Sequence, residues 1–419
     1  MARAKKKSWR GFLLALGPGI IWASASIGVS HLVQSTRAGA GYGFALAGIV
    51  VLALVVKYPF FEYGPRYAAA TGESLLEGYR RVGSWTLPVF LLLTLLTMFT
   101  IQAGVTIVMT GLAANLIGVE LSVTAWSAIL LGTICLLLVL GQYPWLDRIM
   151  KVLIVLLAAA TLTAGLIAFG HGPRAPLAHQ TPPIWSATGI TFMVALMGWM
   201  PSAIEISVWH SLWTLERRRQ TKHAPSLREA LFDFNLGYGL TAFYAFVFLS
   251  LGALLMFGTG EKFSSSAIEF TAQLIRLYTA TLGDWTWPII ATAAFATMFS
   301  TTLAVTDAYP RTWRRAIEIM YPQAKRLHNA LYWGILFVVS SGGLIIIAFF
   351  VGNLKALIDL ATILSFLSAP IYGFMNYRAV TLPSVPKRAR PPMWMRRLSL
   401  FGLAFLTVFG LLFLSWRFE

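Results

Sequence analysis

The chain has 419 residues, of which 57% are hydrophobic and only 12% charged, and a mean hydropathy of +0.70; a soluble domain carries roughly 25% charged residues. So few charges cannot cover a water-exposed surface, and no polar block is long enough for a separate soluble domain, so the sequence reads as one all-α integral membrane domain. The formal charge of +17 invites a nucleic-acid partner, but the Lys and Arg residues fall between apolar segments, which excludes it, and a single cysteine, Cys135, excludes a disulfide framework or a Cys-based metal site.

At the N-terminus, Lys5-Lys6-Lys7, an apolar run and Ala23-Ser24-Ala25 imitate a cleavable signal peptide. Gly17-Pro18-Gly19 interrupts that run and apolar residues continue beyond it, so a retained first helix is expected. A bilayer core takes roughly 20 apolar residues per helix. Segments of that kind cover 12–34, 43–69, 86–112, 122–141, 148–170, 186–213, 232–257, 284–305, 331–352, 355–377 and 396–415, eleven helices in all. The expected organisation is an N-terminal segment 1–11, a core 12–377 with halves near 12–170 and 186–377, a loop 378–395 and an eleventh helix with the C-terminus, 396–419.

With the N-terminus in the cytoplasm, about 26 of the 33 Lys and Arg residues fall in cytoplasmic segments, among them Arg217-Arg218-Arg219, Arg314-Arg315 and Lys387-Arg388. That bias sets a multi-pass topology in the cell membrane and accounts for the charge with lipid as the neighbour. On the opposite side, Ala267, Phe270, Leu274, Leu277 and Tyr278 recur at three-and-four spacing and predict a short surface helix. Trp85 and Trp285, near predicted helix ends, suit an interfacial belt.

Two helices carry interruptions at membrane depth. The first reads Gly17-Pro18-Gly19 and then Ser24-Ala25-Ser26-Ile27-Gly28-Val29-Ser30-His31, crowded with small and hydroxylated residues. The sixth reads Met197-Gly198-Trp199-Met200-Pro201-Ser202-Ala203-Ile204-Glu205. Irregular backbone is tolerated at that depth only where protein or a cavity satisfies the freed groups. The interruption recurs five helices later, and five is odd, so the two units run in opposite directions. A 5+5 inverted repeat with helices one and six unwound is the LeuT-like architecture, and it places a solute site at the breaks.

Further along, the residues resemble the Nramp family of divalent-metal transporters. Gly17-Pro18-Gly19, the stretch Gln34 to Phe44, and Arg66 with Thr71-Gly72 resemble its first two helices, and Met200-Pro201 is similar to the Met-Pro-His of its sixth. The resemblance implies a metal site and places Met200 at the family's methionine ligand. It also sets Thr362 where helix ten supplies a glutamine, Gln102 or its neighbour where helix three carries an acidic proton acceptor, and Ser202 after Met-Pro. Where the family has Asp-Pro-Gly-Asn, this chain has Gly28-Val29-Ser30-His31, so the carboxylate and the amide are missing and a divalent cation needs other donors.

Ionisable groups at membrane depth mark a pathway or a pair. His31 and Glu205 are candidates for metal binding and for carrying a coupled proton. Lys57 and Glu62 are five apart and do not stack; Lys57 is a candidate partner for Glu205. Asp359 and Asp307 read as caps or gate contacts. Trp22, Trp199 and Trp209, near the breaks, are candidate pocket aromatics.

The expected function is a secondary transporter of a divalent metal by alternating access, coupled to protons. Its rearranged site takes Met200, His31 and Glu205 as ligands, with main-chain oxygens from Ala25 and Met197. The alternatives are a transporter of a small organic amine or amino-acid-like solute, held by Ser24, Ser26, Ser30, Ser202 and the tryptophans, and a non-transporting membrane sensor. No P-loop, G-x-S-x-G, H-E-x-x-H or Cys cluster supports an enzyme, and no cofactor is implied.

Overall fold

A computed structural model describes residues 9–141, 144–175 and 181–418, with residues 9, 10, 13, 144–151, 417 and 418 described in their backbone alone. Lys5-Lys6-Lys7 and most of the N-terminal segment lie outside the described residues. The described chain is helical throughout and contains no strand. Its helices are α1 (Trp9–Ala15), α2 (Pro18–Ser26), α3 (Thr36–Tyr42), α4 (Ala47–Thr71), α5 (Leu75–Val82), α6 (Thr86–Ile117), α7 (Val123–Leu140), α8 (Pro144–His171), α9 (Ala187–Trp199), α10 (Ile206–Thr221), α11 (Leu227–Leu255), α12 (Ala267–Leu282), α13 (Trp287–Met320), α14 (His328–Phe349), α15 (Leu354–Thr381) and α16 (Met393–Phe418).

Among the described residues nine helices are long and apolar enough to cross a membrane. The first and sixth predicted spans are instead paired shorter helices, α2 with α3 and α9 with α10. The two halves match element for element. A broken helix opens each, a long helix follows (α4, α11), and then comes a short helix absent from the span count (α5, α12). The second of these is the predicted surface helix, and Ala267, Phe270, Leu274, Leu277 and Tyr278 are all buried on its inner side. The first, α5, was not foreseen. Its signal is the capping box formed by Ser74 and Glu77, a Ser-x-x-Glu pattern legible in sequence.

The halves embrace each other. The long helix α4 packs along α10 while α11 packs along α2 and α3, and α6 crosses α13 at the centre. At the crossing of α3 and α11, Gly39 faces the Leu249 carbonyl and Gly252 faces the Thr36 carbonyl. A methyl group on either would strike main chain, so the two backbones touch only because both residues lack Cβ. Helices such as α7 and α16, at the periphery, keep large apolar side chains exposed, Val139, Leu140, Leu411 and Leu412 among them, as a lipid-facing surface requires. Trp85 and Trp285 are likewise exposed. Arg217-Arg218-Arg219, Arg314-Arg315 and Lys387-Arg388 mark one end of the bundle, called here the basic face.

Candidate functional site

The first break is narrow. Helix α2 ends at Ser26, only Ile27 and Gly28 leave helical geometry, and residues Ser30–Ser35 continue as a π-helix into α3. A π-helical turn leaves carbonyls without their usual partners, and here side chains one turn on take them up. The Ser30 hydroxyl donates to Ser26 O, and His31 Nδ1 lies 2.9 Å from the same oxygen and 2.7 Å from Ser30 Oγ. The other nitrogen, Nε2, reaches Thr241 O on α11 at 2.9 Å. Both nitrogens of the fully buried His31 are therefore committed to the scaffold. Ser24 O accepts from Thr301 Oγ1 at 3.4 Å, and the same threonine side chain fills the space beside Gly28.

The N-terminal end of α2 is fixed from another helix. Asp233 on α11 accepts from Gly17 N at 3.0 Å and Gly19 N at 2.6 Å. A carboxylate on the free amides of a helix start is favoured by hydrogen bonding and by the helix dipole. Gly19 also lies against the Asp233 main chain, where a Cβ would collide with backbone. That contact is a physical reason for Gly17-Pro18-Gly19. Asp233 itself drew no attention in the sequence.

The second break is wide. Helix α9 ends at Trp199, α10 starts at Ile206, and Met200 through Glu205 are non-helical, with a cis peptide between Met200 and Pro201. Pro201 has no N–H to offer Met197 O, its partner in a continuous helix. Lys57, arriving from α4, supplies the missing donors: its Nζ donates to Met197 O and Gly198 O at 2.9 Å each and to Ser202 O at 2.7 Å. The predicted pairing of Lys57 with Glu205 is replaced by this arrangement, because the carbonyls opened by the break are nearer acceptors. Glu62, the other ionisable group on α4, is held at 2.6 and 2.7 Å by Arg66 one turn on.

Glu205 immediately precedes α10 and is buried, its side chain making no capping bond to that helix. Its carboxylate accepts from Tyr309 Oη at 2.5 Å and Thr97 Oγ1 at 3.0 Å, and among the described residues it makes no ion pair. Tyr309 and Thr97, on α13 and α6, were not singled out in sequence. The candidate residues thus fall into two groups. Ser24, Ala25, Ser26, Gly28, Ser30 and His31 belong to the first break, and Met197, Met200, Ser202 and Glu205 to the second. Thr362 joins the second from α15, since Gly198 packs directly on its main chain. Met200 is fully buried. Gln102 sits in a buried amide–hydroxyl network with Thr106 at 3.2 Å and Thr306 at 3.0 Å. Among the described residues no three His, Cys, Asp or Glu side chains gather as a metal site.

The three tryptophans do not share a pocket. Trp22 lies in an aromatic cluster with Phe61, Tyr238 and His210. Trp199 donates to Ser365 Oγ at 2.8 Å, and Trp209 packs edge-on against Tyr309 at 5.0 Å.

Away from the basic face, a cavity of about 510 Å³ opens between α3, α9 and α15. Its floor is the bidentate pair of Arg37 with Asp359, at 2.7 and 3.0 Å, and Gln34 ties Asp359 to Thr362 below it at 3.3 Å to each. Asp359 thus links α15 to α3 and to the π-helical turn before it. Asp307, in the interior of α13, pairs with Arg311 one turn on at 2.5 Å.

The sequence matches the family described as natural resistance-associated macrophage protein-like over residues 19–415. A protein of Pasteurella multocida, itself uncharacterized, is 37% identical over 414 residues, which is 98% of this chain and 94% of that relative. A Populus trichocarpa metal transporter is 24% identical over 199 residues, 46% of this chain and 34% of that protein. In structure, the manganese transporter of Eremococcus coleocola superposes with a TM-score of 0.73 at 16% identity, covering 98% of this chain and 88% of that one. MhsT, solved with L-phenylalanine, gives 0.58 at 13% identity over 99% of both chains. These likenesses fix a LeuT-like fold.

Proposed function

The chain belongs to the Nramp family, and from that premise we propose that it is a secondary transporter moving a divalent metal ion by alternating access, with a site rearranged around the second break. The observation that carries this reading is the convergence of Met197 O, Gly198 O and Ser202 O, within 2.9 Å, on one buried cationic nitrogen. A break that gathers three carbonyl oxygens around a positive charge has the chemistry of a cation site. The Met200 thioether lies in the same six-residue segment, and Glu205 closes that segment with a buried carboxylate that no basic side chain among the described residues neutralises. Carbonyl oxygens, a thioether and one carboxylate form a donor set of mixed hardness that suits manganese better than magnesium. Manganese is also the metal named for the Eremococcus coleocola protein.

The basic face is the cytoplasmic one in this reading, with the N-terminus beside it and the protein in the cell membrane. Arg37 and Asp359 close the external path, and Asp233 clamps α2 on the cytoplasmic side. Glu205 is the coupling group: held by two neutral hydroxyls, it can exist with or without a proton, and a proton or a metal can balance its charge. His31 holds the first break in shape. The protein is a carrier rather than an enzyme. The test is Mn²⁺ uptake into liposomes driven by a proton gradient, comparing the wild type with Met200→Ala. Uptake should fall at least tenfold, and unchanged uptake would remove the ligand on which the family assignment of the site depends.

A further inference from the structure

Lys57 is fully buried and makes no ion pair among the described residues, an expensive arrangement for a charged group at membrane depth. Three acceptors around its nitrogen call for three N–H groups. Only the ammonium form has three donors; a neutral amine has two. The charge is stabilised by the carbonyls themselves and by its place at the C-terminal end of α9, where the helix dipole is negative, while the Phe61 ring lies 5.9 Å from Nζ. The ammonium is delivered from another helix, 140 residues away in sequence from Met197, on a flexible four-carbon stem. It fills the cradle assigned above to the solute.

We propose that Lys57 is a tethered cation that occupies the transport cradle in the absence of solute, so that a metal ion enters only as the ammonium withdraws. This rests on the reading of the second break as the transport site. Two consequences follow from the charge. The empty carrier keeps its freed carbonyls satisfied, which lets it close without cargo. Selectivity also gains a threshold, because attraction to the three carbonyl oxygens and to the negative end of α9 scales with charge. A divalent ion therefore displaces the ammonium where Na⁺ or K⁺ does not.

The affinity measured for a metal is then reduced by the fraction of time the cradle is free. If the ammonium holds it at least nine-tenths of the time, removing the ammonium raises Mn²⁺ affinity about tenfold or more. Calorimetry with Mn²⁺ on the full chain in detergent, wild type against Lys57→Met, reads this directly. Tighter binding by Lys57→Met is the expected result. Equal or weaker binding, with the wild type binding Mn²⁺, overturns the tethered cation and leaves the transporter reading standing, whereas no Mn²⁺ binding by either protein overturns both. If Lys57→Met does not fold, Lys57→Ala purified in methylammonium chloride restores a cation to the cradle. Mn²⁺ must then compete, its apparent Kd rising in proportion to methylammonium, and a Kd independent of the amine overturns the proposal.

Discussion

The two helix breaks solve one problem in opposite ways. At the first, the freed Ser26 carbonyl is met by Ser30 and His31, four and five residues on, and a single long-range bond to Thr241 ties the turn to α11. At the second, local help is slight, a single long bond of 3.4 Å from Met200 N–H to Met197 O. Pro201 withdraws a donor, and three carbonyls take up a side chain from α4. A break satisfied by its own neighbours is a fixed bend, whereas one satisfied by a mobile, charged side chain has an occupant that can leave. The contrast places rigidity at the first break and exchange at the second, although symmetry relates them.

Substitutions at the two breaks should therefore differ in kind. The largest stability loss is expected for Lys57→Met in the absence of any added cation. Gly198 O and Ser202 O lose their donor and Met197 O keeps only the 3.4 Å bond from Met200 N–H; at about 1 kcal/mol or more each the loss is about 2–3 kcal/mol, read as a fall in Tm in detergent, and a Tm within a degree or two of the wild type would show that the break does not need its ammonium. Next, Glu205→Gln should cut proton-driven Mn²⁺ uptake at least tenfold while changing Tm less than Lys57→Met does, because an amide keeps an acceptor for Tyr309 or Thr97 but cannot carry the charge. Retained uptake would move the coupling group elsewhere. His31→Leu should cost about 1–3 kcal/mol through the Thr241 oxygen it leaves behind, Ser26 O keeping the Ser30 hydroxyl, with Mn²⁺ affinity close to that of the wild type. A large loss of affinity without loss of stability would make His31 a ligand after all. The smallest effect belongs to Asp359→Asn, whose pair with Arg37 is partly exposed and worth about 0–1 kcal/mol. Its readout is the accessibility of a cysteine placed at Thr362, which should increase.

Much of the fold was written locally. Apolar stretches of membrane length, basic loops on one side and the three-and-four pattern of α12 each follow from the medium a residue must face, which a short window of sequence reveals. The interruptions were legible for the same reason, since Gly, Pro and clustered hydroxyls cannot hold a regular helix whatever surrounds them. Even α5 had its signal in Ser74 and Glu77.

The partners at the site were another matter. Lys57 was visible as a costly charge, and charge complementarity pointed to Glu205. Only packing shows α4 lying along α10 with the ammonium beside carbonyls, and Glu205 turned to Tyr309 and Thr97 instead. Asp233 and Gly19 meet across more than two hundred residues, as do Arg37 and Asp359 across more than three hundred. Sequence determined where the backbone must break, because breaking is a property of the residues themselves. Which side chain fills each break was decided by tertiary structure, because a freed carbonyl takes the nearest donor, and nearness is fixed only once the helices have packed.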